Sequence, residues 1–392
     1  IKENRTYDQI LGDMKKGNGD PYLCTFGKKV TPNSHKLVDE YVLMDNYRAS
    51  GKCSAEGHLW TDASIVTDYI EKNVRAWFRS YTHVLYDAMA YPKTGFIWDD
   101  ALDHGKSVRI YGEACVPEWK GLPTWTDVYQ NYMAGKPFIF KNKTTIDRVR
   151  GLLSPTYPGY DSHNITDQIR ATAFIDELKH YESLPGDALP DLIVMALPDD
   201  HTGGTSPKHP TPRAMVADND YALGRIIEAL SHSKFWKNTV VFVTEDDSQH
   251  GWDHVSAYRT VGMVISPYSR HGKVVSTEYN QTSMIRTIEQ ILGIPPMNIE
   301  DATAKPMFDV FTDKANDTPY KALKNIIPIN EMNPPLTALK GQALNYAIAS
   351  EKMAQLGIDA GSDDLLNRII WSSVNKTKAY PAKYAGKDDD DD

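Results

Sequence analysis

Short apolar runs rich in β-branched residues alternate along this chain with stretches whose apolar positions recur every three or four residues. The first pattern fits buried strands and the second fits core-facing helices. Their alternation predicts an α/β architecture around a largely parallel central sheet. The best strand candidates are Tyr41–Met44, Val108–Tyr111, Leu192–Leu197, Thr239–Thr244 and Val261–Ser266. Ala214–Leu230 sets Met215, Leu223, Ile226, Ile227 and Leu230 at helical spacing, and Ser283–Leu292 does the same with Met284, Ile285, Ile288 and Leu292 before Gly293. Helices are also expected at Ala338–Leu356 and at Asp363–Val374, the latter with Ser362 as N-cap. Periodicity weakens over residues 99–158, whose Trp, Tyr, Gly and Pro content reads as a cap or insertion, or as an aromatic packing layer. The chain thus divides into a main unit, 1–329, a helical extension packed on it, 330–385, and an acidic tail expected to be disordered, 386–392.

Composition narrows the function. With 41% hydrophobic and 24% charged residues over 392 positions, the chain has ample material for one large core. A formal net charge of -9 and the lack of any Lys/Arg run argue against a nucleic-acid binder. No apolar run approaches the ~20 residues of a membrane span, so no integral membrane segment is expected. Three cysteines, Cys24, Cys53 and Cys115, have no CxxC spacing, and read as buried thiols, with one disulfide as the alternative. The chain opens at Ile1 with no signal peptide in view, which is consistent with residues removed upstream. Asn-x-Ser/Thr sequons stand at Asn4, Asn142, Asn164, Asn280, Asn316 and Asn375, at a density that chance explains.

The chemistry-bearing residues follow the expected strands, where open parallel sheets place their ligands. Leu192–Leu197 runs into Pro198-Asp199-Asp200-His201, and Thr239–Thr244 into Glu245-Asp246-Asp247, with Gln249, His250, Asp253 and His254 just beyond. The opening Ile1-Lys2-Glu3-Asn4 fits the stub of another such strand. Carboxylates with histidine suit one or two divalent cations, whose charge would also serve an anionic substrate in an acidic protein. Taken singly, Asp200-His201 reads as a loop cap and Asp246-Asp247 as a helix N-terminus. Adjacent acids at a strand end repel each other, however, and a bound cation relieves that repulsion. A hydroxyl near such a cation and near a helix start is a potential nucleophile, and Ser54 is the best placed; an N-cap role for Ser54 is compatible with it.

Five segments in order, Glu3-Asn4-Arg5-Thr6-Tyr7-Asp8, Ser54-Ala55-Glu56-Gly57-His58, Asp200-His201-Thr202, Glu245-Asp246-Asp247 and Asp253-His254-Val255, give the chain a resemblance to the bacterial phosphoesterase family. That family, part of the alkaline-phosphatase superfamily, includes phosphocholine-type phospholipases C and an acid phosphatase. The chain especially resembles the branch often attached to a β-propeller in secreted bacterial proteins. The resemblance implies a three-layer sandwich, a small-molecule phosphoester substrate, an upstream β-propeller as a candidate companion domain, and a periplasmic or secreted location. It implies Glu3, Asp246 and Asp247 as metal ligands, with Ser54 completing the shell and attacking phosphorus through a phosphoseryl intermediate. Asn4 would hydrogen-bond a phosphoryl oxygen. Asp200, His201 and His254 match positions that in relatives bind a second metal or contact the phosphoryl group, so Asp200 is an expected metal ligand and His201 and His254 are expected catalytic residues. Expected substrate contacts are Asn4, His58, Tyr111, Glu113 and His201. Zinc, calcium or manganese would suit the carboxylate-rich site.

Two departures bear on the substrate. Phospholipase-like relatives carry His where this chain has Asn280-Gln281, and Asp-Glu where it has Asp246-Asp247, while the acid-phosphatase member has two Asp. This favours phosphomonoesters over phospholipid head groups, with a phospholipase C-type diesterase as the alternative. A sulfatase would need Cys/Ser-x-Pro-x-Arg, which Ser54-Ala55-Glu56-Gly57-His58 does not offer. A non-catalytic binding module would keep the fold, yet every expected ligand position is filled.

Overall fold

Successive side chains of a strand point to opposite faces, and Leu192–Met195 uses both. Leu192 and Val194 pack with Leu59, Ile97 and Ile285, whereas Ile193 and Met195 lie against the cluster of Phe174, Leu223 and Ile227. One face is covered by helices Asp167–Ser183 and Pro212–His232, which pack on each other; the other is covered by Ser54–Ala63 and Gln281–Leu292. The result is the three-layer α/β sandwich expected from the sequence. The computed structural model describes residues 1–74, 88–249, 251–356 and 361–385. His250 and the acidic tail 386–392 lie outside the described residues.

Leu192–Met195 pairs in parallel with Val108–Tyr111, from Val108↔Leu192 to Tyr111↔Met195. On its other side Lys2 forms parallel bridges to both Leu197 and Glu245. The opening residues are therefore inserted between Leu192–Met195 and Val241–Thr244. Val241–Thr244 pairs antiparallel with Gly262–Ile265, which lies beside Val42–Met44, itself parallel to Lys273–Val275. The antiparallel pair departs from the largely parallel expectation for a simple reason. Parallel neighbours need a long crossover, usually a helix, and the described residues between Thr244 and Gly262 form none.

The periodic helices appear where expected, with ends set by capping. Pro212–His232 starts earlier than Ala214 because Pro212 occupies the first turn after Thr211, and Asp363–Val374 starts on Ser362, whose hydroxyl accepts from the Leu365 N–H at 3.2 Å. Asp167–Ser183 escaped the periodicity, since Asp167, Gln168 and Arg170 are buried among its apolar residues. Within residues 99–158, Val108–Tyr111 belongs to the central ladder, while Val116–Trp119 and Phe140–Lys143 form a separate antiparallel pair with helix Trp125–Met133 between them. The C-terminal helices Gly341–Leu356 and Asp363–Val374 lie against the main unit: Trp371 is edge-on to Trp252 at 5.1 Å, and Asn367 Nδ2 donates to the Gln249 carbonyl at 3.2 Å. Cys24, Cys53 and Cys115 are free thiols. No helix among the described residues is long and apolar enough to cross a membrane.

Candidate active site

The opening ladder positions the first acid. The Lys2 N–H donates to the Thr244 carbonyl at 2.8 Å, and the Lys2 carbonyl accepts from the Asp246 N–H at 2.9 Å. This locks Glu3 beside Asp246. The Lys2 ammonium turns away and is held 2.7 Å from both Asp200 and Glu245. Arg5, fully buried, donates to the carbonyls of Asp200 and His201. Lys2 thus holds two acidic side chains and Arg5 two backbone carbonyls beside the site.

Ser54 is the first residue of helix Ser54–Ala63, with Cys53 as N-cap, one position earlier than an N-cap serine would require. Its hydroxyl is 3.4 Å from Asp247 Oδ2, and Asn4 Nδ2 is 3.3 Å from the same oxygen. The helix can start this close because Gly57 carries no side chain: a Cβ there would lie 2.5 Å from the Asp246 carbonyl oxygen. From the other side, Gln281 Nε2 donates to the Asp246 carbonyl, to Glu245 O at 3.2 Å and to Thr61 Oγ1 at 3.0 Å. The position that departs from the phospholipase pattern therefore fixes the backbone of an expected ligand.

His58, one turn further along the helix, is wholly buried. Its Nε2 lies 2.9 Å from Glu3 Oε1 and 3.4 Å from Asp246 Oδ2, while Nδ1 lies 2.9 Å from the Tyr160 hydroxyl and 3.3 Å from Glu113 Oε1. Tyr160 also donates to Glu113. Burial opposes charge on the imidazole, but Glu113 and Glu3 outweigh it and raise His58 to about 10. Burial, with Glu113 nearby, holds the Asp62 carboxyl well above its ordinary value. Tyr160 had no sequence signal, because it joins the site only through contacts distant in the chain, and Asp62, one turn beyond His58 on the same helix, was passed over.

The remaining expected residues fall into other surroundings. Asp200 accepts from the Glu3 N–H at 3.0 Å and from Asn219 Nδ2 at 3.2 Å besides its pairing with Lys2. His201 lines a small cavity of about 30 Å³ with Gln249, Thr202 and Ser350. His254 Nδ1 lies 2.6 Å from Asp8 Oδ2, within a network in which Arg259 pairs with Asp8 at 3.1 Å and Asp253 at 3.0 Å. Tyr111 belongs to the hydrophobic core, edge-on to Tyr157 at 5.4 Å and Phe174 at 5.1 Å. Glu113 faces His58 from within the protein.

Glu3, His58 and Asp246 each present a ligand atom, all within 4.8 Å of one another. Asp247 adds a fourth buried group, and Asn4 Oδ1 is buried with no hydrogen-bond partner among the described residues. Buried carboxylates in this number need compensating positive charge. Oxygen donors with an imidazole in reach make a chemically fitting divalent-cation site.

A family model described as Phosphoesterase family matches residues 20–295. No curated protein matches the chain. Among solved structures, an alkaline-phosphatase-superfamily protein from Vibrio parahaemolyticus is 16% identical with a TM-score of 0.43, covering 71% of this chain and 64% of that one. The chain thus spans under two thirds of that relative. A protein from a Bacteroides thetaiotaomicron locus for metabolism of multiple glycosaminoglycans is 12% identical with a TM-score of 0.51, covering 80% of this chain and 76% of the other. These identities speak to fold alone.

Proposed function

The chain belongs to the phosphoesterase family, and from that premise we propose that it hydrolyses phosphate esters with Ser54 as nucleophile, at a divalent-cation site formed by Glu3, Asp246 and Asp247. The observation that carries the reading is the Ser54 hydroxyl 3.4 Å from Asp247 Oδ2, at a helix start among buried acids. A bound cation would lower the pKa of the serine hydroxyl and offset phosphate charge.

The chain's own residues do the rest. The Asp247 carboxylate orients the Ser54 hydroxyl, and the helix start faces the phosphoryl group with its N–H dipoles. Asn4 Nδ2 donates to a phosphoryl oxygen. Ser54 Oγ bonds to phosphorus as the ester P–O bond breaks, and the leaving alcohol takes a proton, for which His201 and His254 are the candidate imidazoles. Water then cleaves the Ser54 ester, releasing phosphate and restoring the hydroxyl. His58 and Glu113 act behind the ligands, orienting Glu3 and Asp246, rather than on the substrate. Asp200, already paired with Lys2, supports a single-cation site. Gln281 and the Asp246-Asp247 pair, standing where phospholipase-like relatives carry other residues, favour phosphomonoesters as the class.

The test compares aryl phosphate, bis-aryl phosphate and phosphatidylcholine as substrates, with chelator-treated protein and with manganese, calcium or zinc restored. Monoester turnover that needs added cation, with phosphoserine found at Ser54 by mass spectrometry after rapid quench, is expected. Full turnover by Ser54→Ala would overturn the nucleophile assignment, and no turnover of any phosphoester with any of the cations would overturn the enzyme reading.

A further inference from the structure

The antiparallel ribbon of Val116–Trp119 and Phe140–Lys143 stands on the wall of the site. Its base is fixed there. The Cys115 carbonyl accepts from the Tyr160 N–H at 2.9 Å, while Asn142 donates to the Tyr157 carbonyl at 2.8 Å and accepts from the Gly159 N–H at 3.0 Å. At the far end one face is packed: Trp119 and Phe140 are paired in register, and Phe138 lies 5.6 Å from Trp119 and 5.4 Å from Phe140. Phe138 and Trp119 rest in turn on Val128, Ile165 and Ile169.

Side chains alternate along a strand, so Ile139 and Lys141 take the face opposite Phe138 and Phe140. Ile139 is 77% exposed, more than any other large hydrophobic side chain among the described residues. Met133, which ends helix Trp125–Met133, is 65% exposed. Every residue from Met133 to Pro137 is exposed, which makes the turn between helix and ribbon a projection rather than a groove.

The charge of this projection opposes that of the chain. From Trp119 to Lys143 there are four lysines and a single acid, Asp127, in a protein whose net charge is -9. Asp127 is engaged by the Thr124 cap, and Lys143 pairs with Glu118. Lys120, Lys136 and Lys141 are exposed and form no salt bridge among the described residues. Lys136 and Lys141 flank Ile139 in the chain, and Lys120 follows Trp119 at the same end of the ribbon. Exposed apolar side chains, half-buried aromatic rings beneath them and free ammonium groups around them match the layers of an anionic bilayer surface.

We propose that this tip is a peripheral contact with an anionic lipid surface. Ile139 and Met133 enter the headgroup boundary, and Lys120, Lys136 and Lys141 face the lipid phosphates. A second copy of the chain is the poorer occupant, because a two-fold contact through the same patch sets lysines against lysines. The contact uses none of the residues of the candidate site and so stands independently of the proposed chemistry.

Co-sedimentation of the 392-residue chain with vesicles of phosphatidylglycerol or of phosphatidylcholine tests this. Binding to phosphatidylglycerol is expected to be about tenfold tighter or more, and to weaken as salt is added. Ile139→Asp, and separately Lys136→Glu combined with Lys141→Glu, should each lower that affinity by on the order of tenfold or more. Lys324→Glu, which reverses an exposed lysine on another segment, should change it by less than about twofold. All four positions are exposed, so melting temperatures should be unchanged. No binding to phosphatidylglycerol, or an equal loss with Lys324→Glu, would overturn the proposal. So would undiminished binding by Ile139→Asp, since adsorption would then rest on charge alone. Self-association abolished by the tip variants, without vesicle binding, would assign the tip to a second copy instead.

Discussion

Gly57 lies so close to the Asp246 backbone that a methyl group on it would sit 2.5 Å from the Asp246 carbonyl oxygen. The helix bearing Ser54 and the strand end bearing two expected ligands are thereby held in one alignment. Gly57→Ala should push them apart, lowering kcat by about 10²-fold for a displacement near 1 Å. Its stability should fall by roughly 1–3 kcal/mol, as overpacking does. Steady-state kinetics and denaturant unfolding check both; an active, fully stable variant would show that the helix slides freely.

His58 touches both Glu3 and Asp246 and is itself held by Tyr160 and Glu113. Residues that orient ligands in this way typically govern metal affinity, so His58→Gln should weaken cation binding by about 10–100-fold. Calorimetric titration with manganese measures this directly. Tyr160→Phe should move affinity in the same direction by less, because Glu113 still faces the ring.

The two histidines expected to be catalytic should separate. Loss of a general acid costs roughly 10²–10⁴-fold, and His201→Ala should fall in that range on a substrate with a poor leaving group. His254, bonded to Asp8 within the Arg259 network, should give a smaller loss of turnover on replacement by Ala. Arg259→Met, which strands Asp8 and Asp253 as buried carboxylates, should cost about 3–5 kcal/mol of stability. Turnover and urea midpoints for the three variants distinguish the roles.

Glu289 supplies a pH signature away from the site. Burial, then the neighbouring Asp301 carboxyl, push Glu289 up to about 8. The folded protein therefore keeps a proton that the unfolded chain releases near its ordinary value of 4.5, and stability falls as pH rises from there towards 8. Glu289→Gln should flatten that fall and raise the melting temperature at pH 8 by roughly 1–2 °C, the shift that about 1 kcal/mol gives in a chain of this size. Calorimetry across pH 5 to 8 decides it.

Strand and helix positions were legible wherever local burial followed a period. Val108–Tyr111 and Asp363–Val374 have the expected limits, and the acids do follow strands. Periodicity failed at Asp167–Ser183, where a buried polar network replaced the apolar stripe. It also carried no information on strand direction, and so missed the antiparallel Gly262–Ile265.

The sequence by itself determined the layering of the fold and the chemical inventory of the site, because side-chain period and residue type are local properties. Only the tertiary structure decided partnership. It put Ser54 and Asn4 on Asp247, gave Asp200 to Lys2 and His254 to Asp8, withdrew Tyr111 into the core, and turned His58 and Glu113 towards the carboxylates. The physical reason is that a buried charge takes whichever opposite charge or donor the packed chain brings within about 3 Å, and those pairs are separated by as many as 246 residues in sequence.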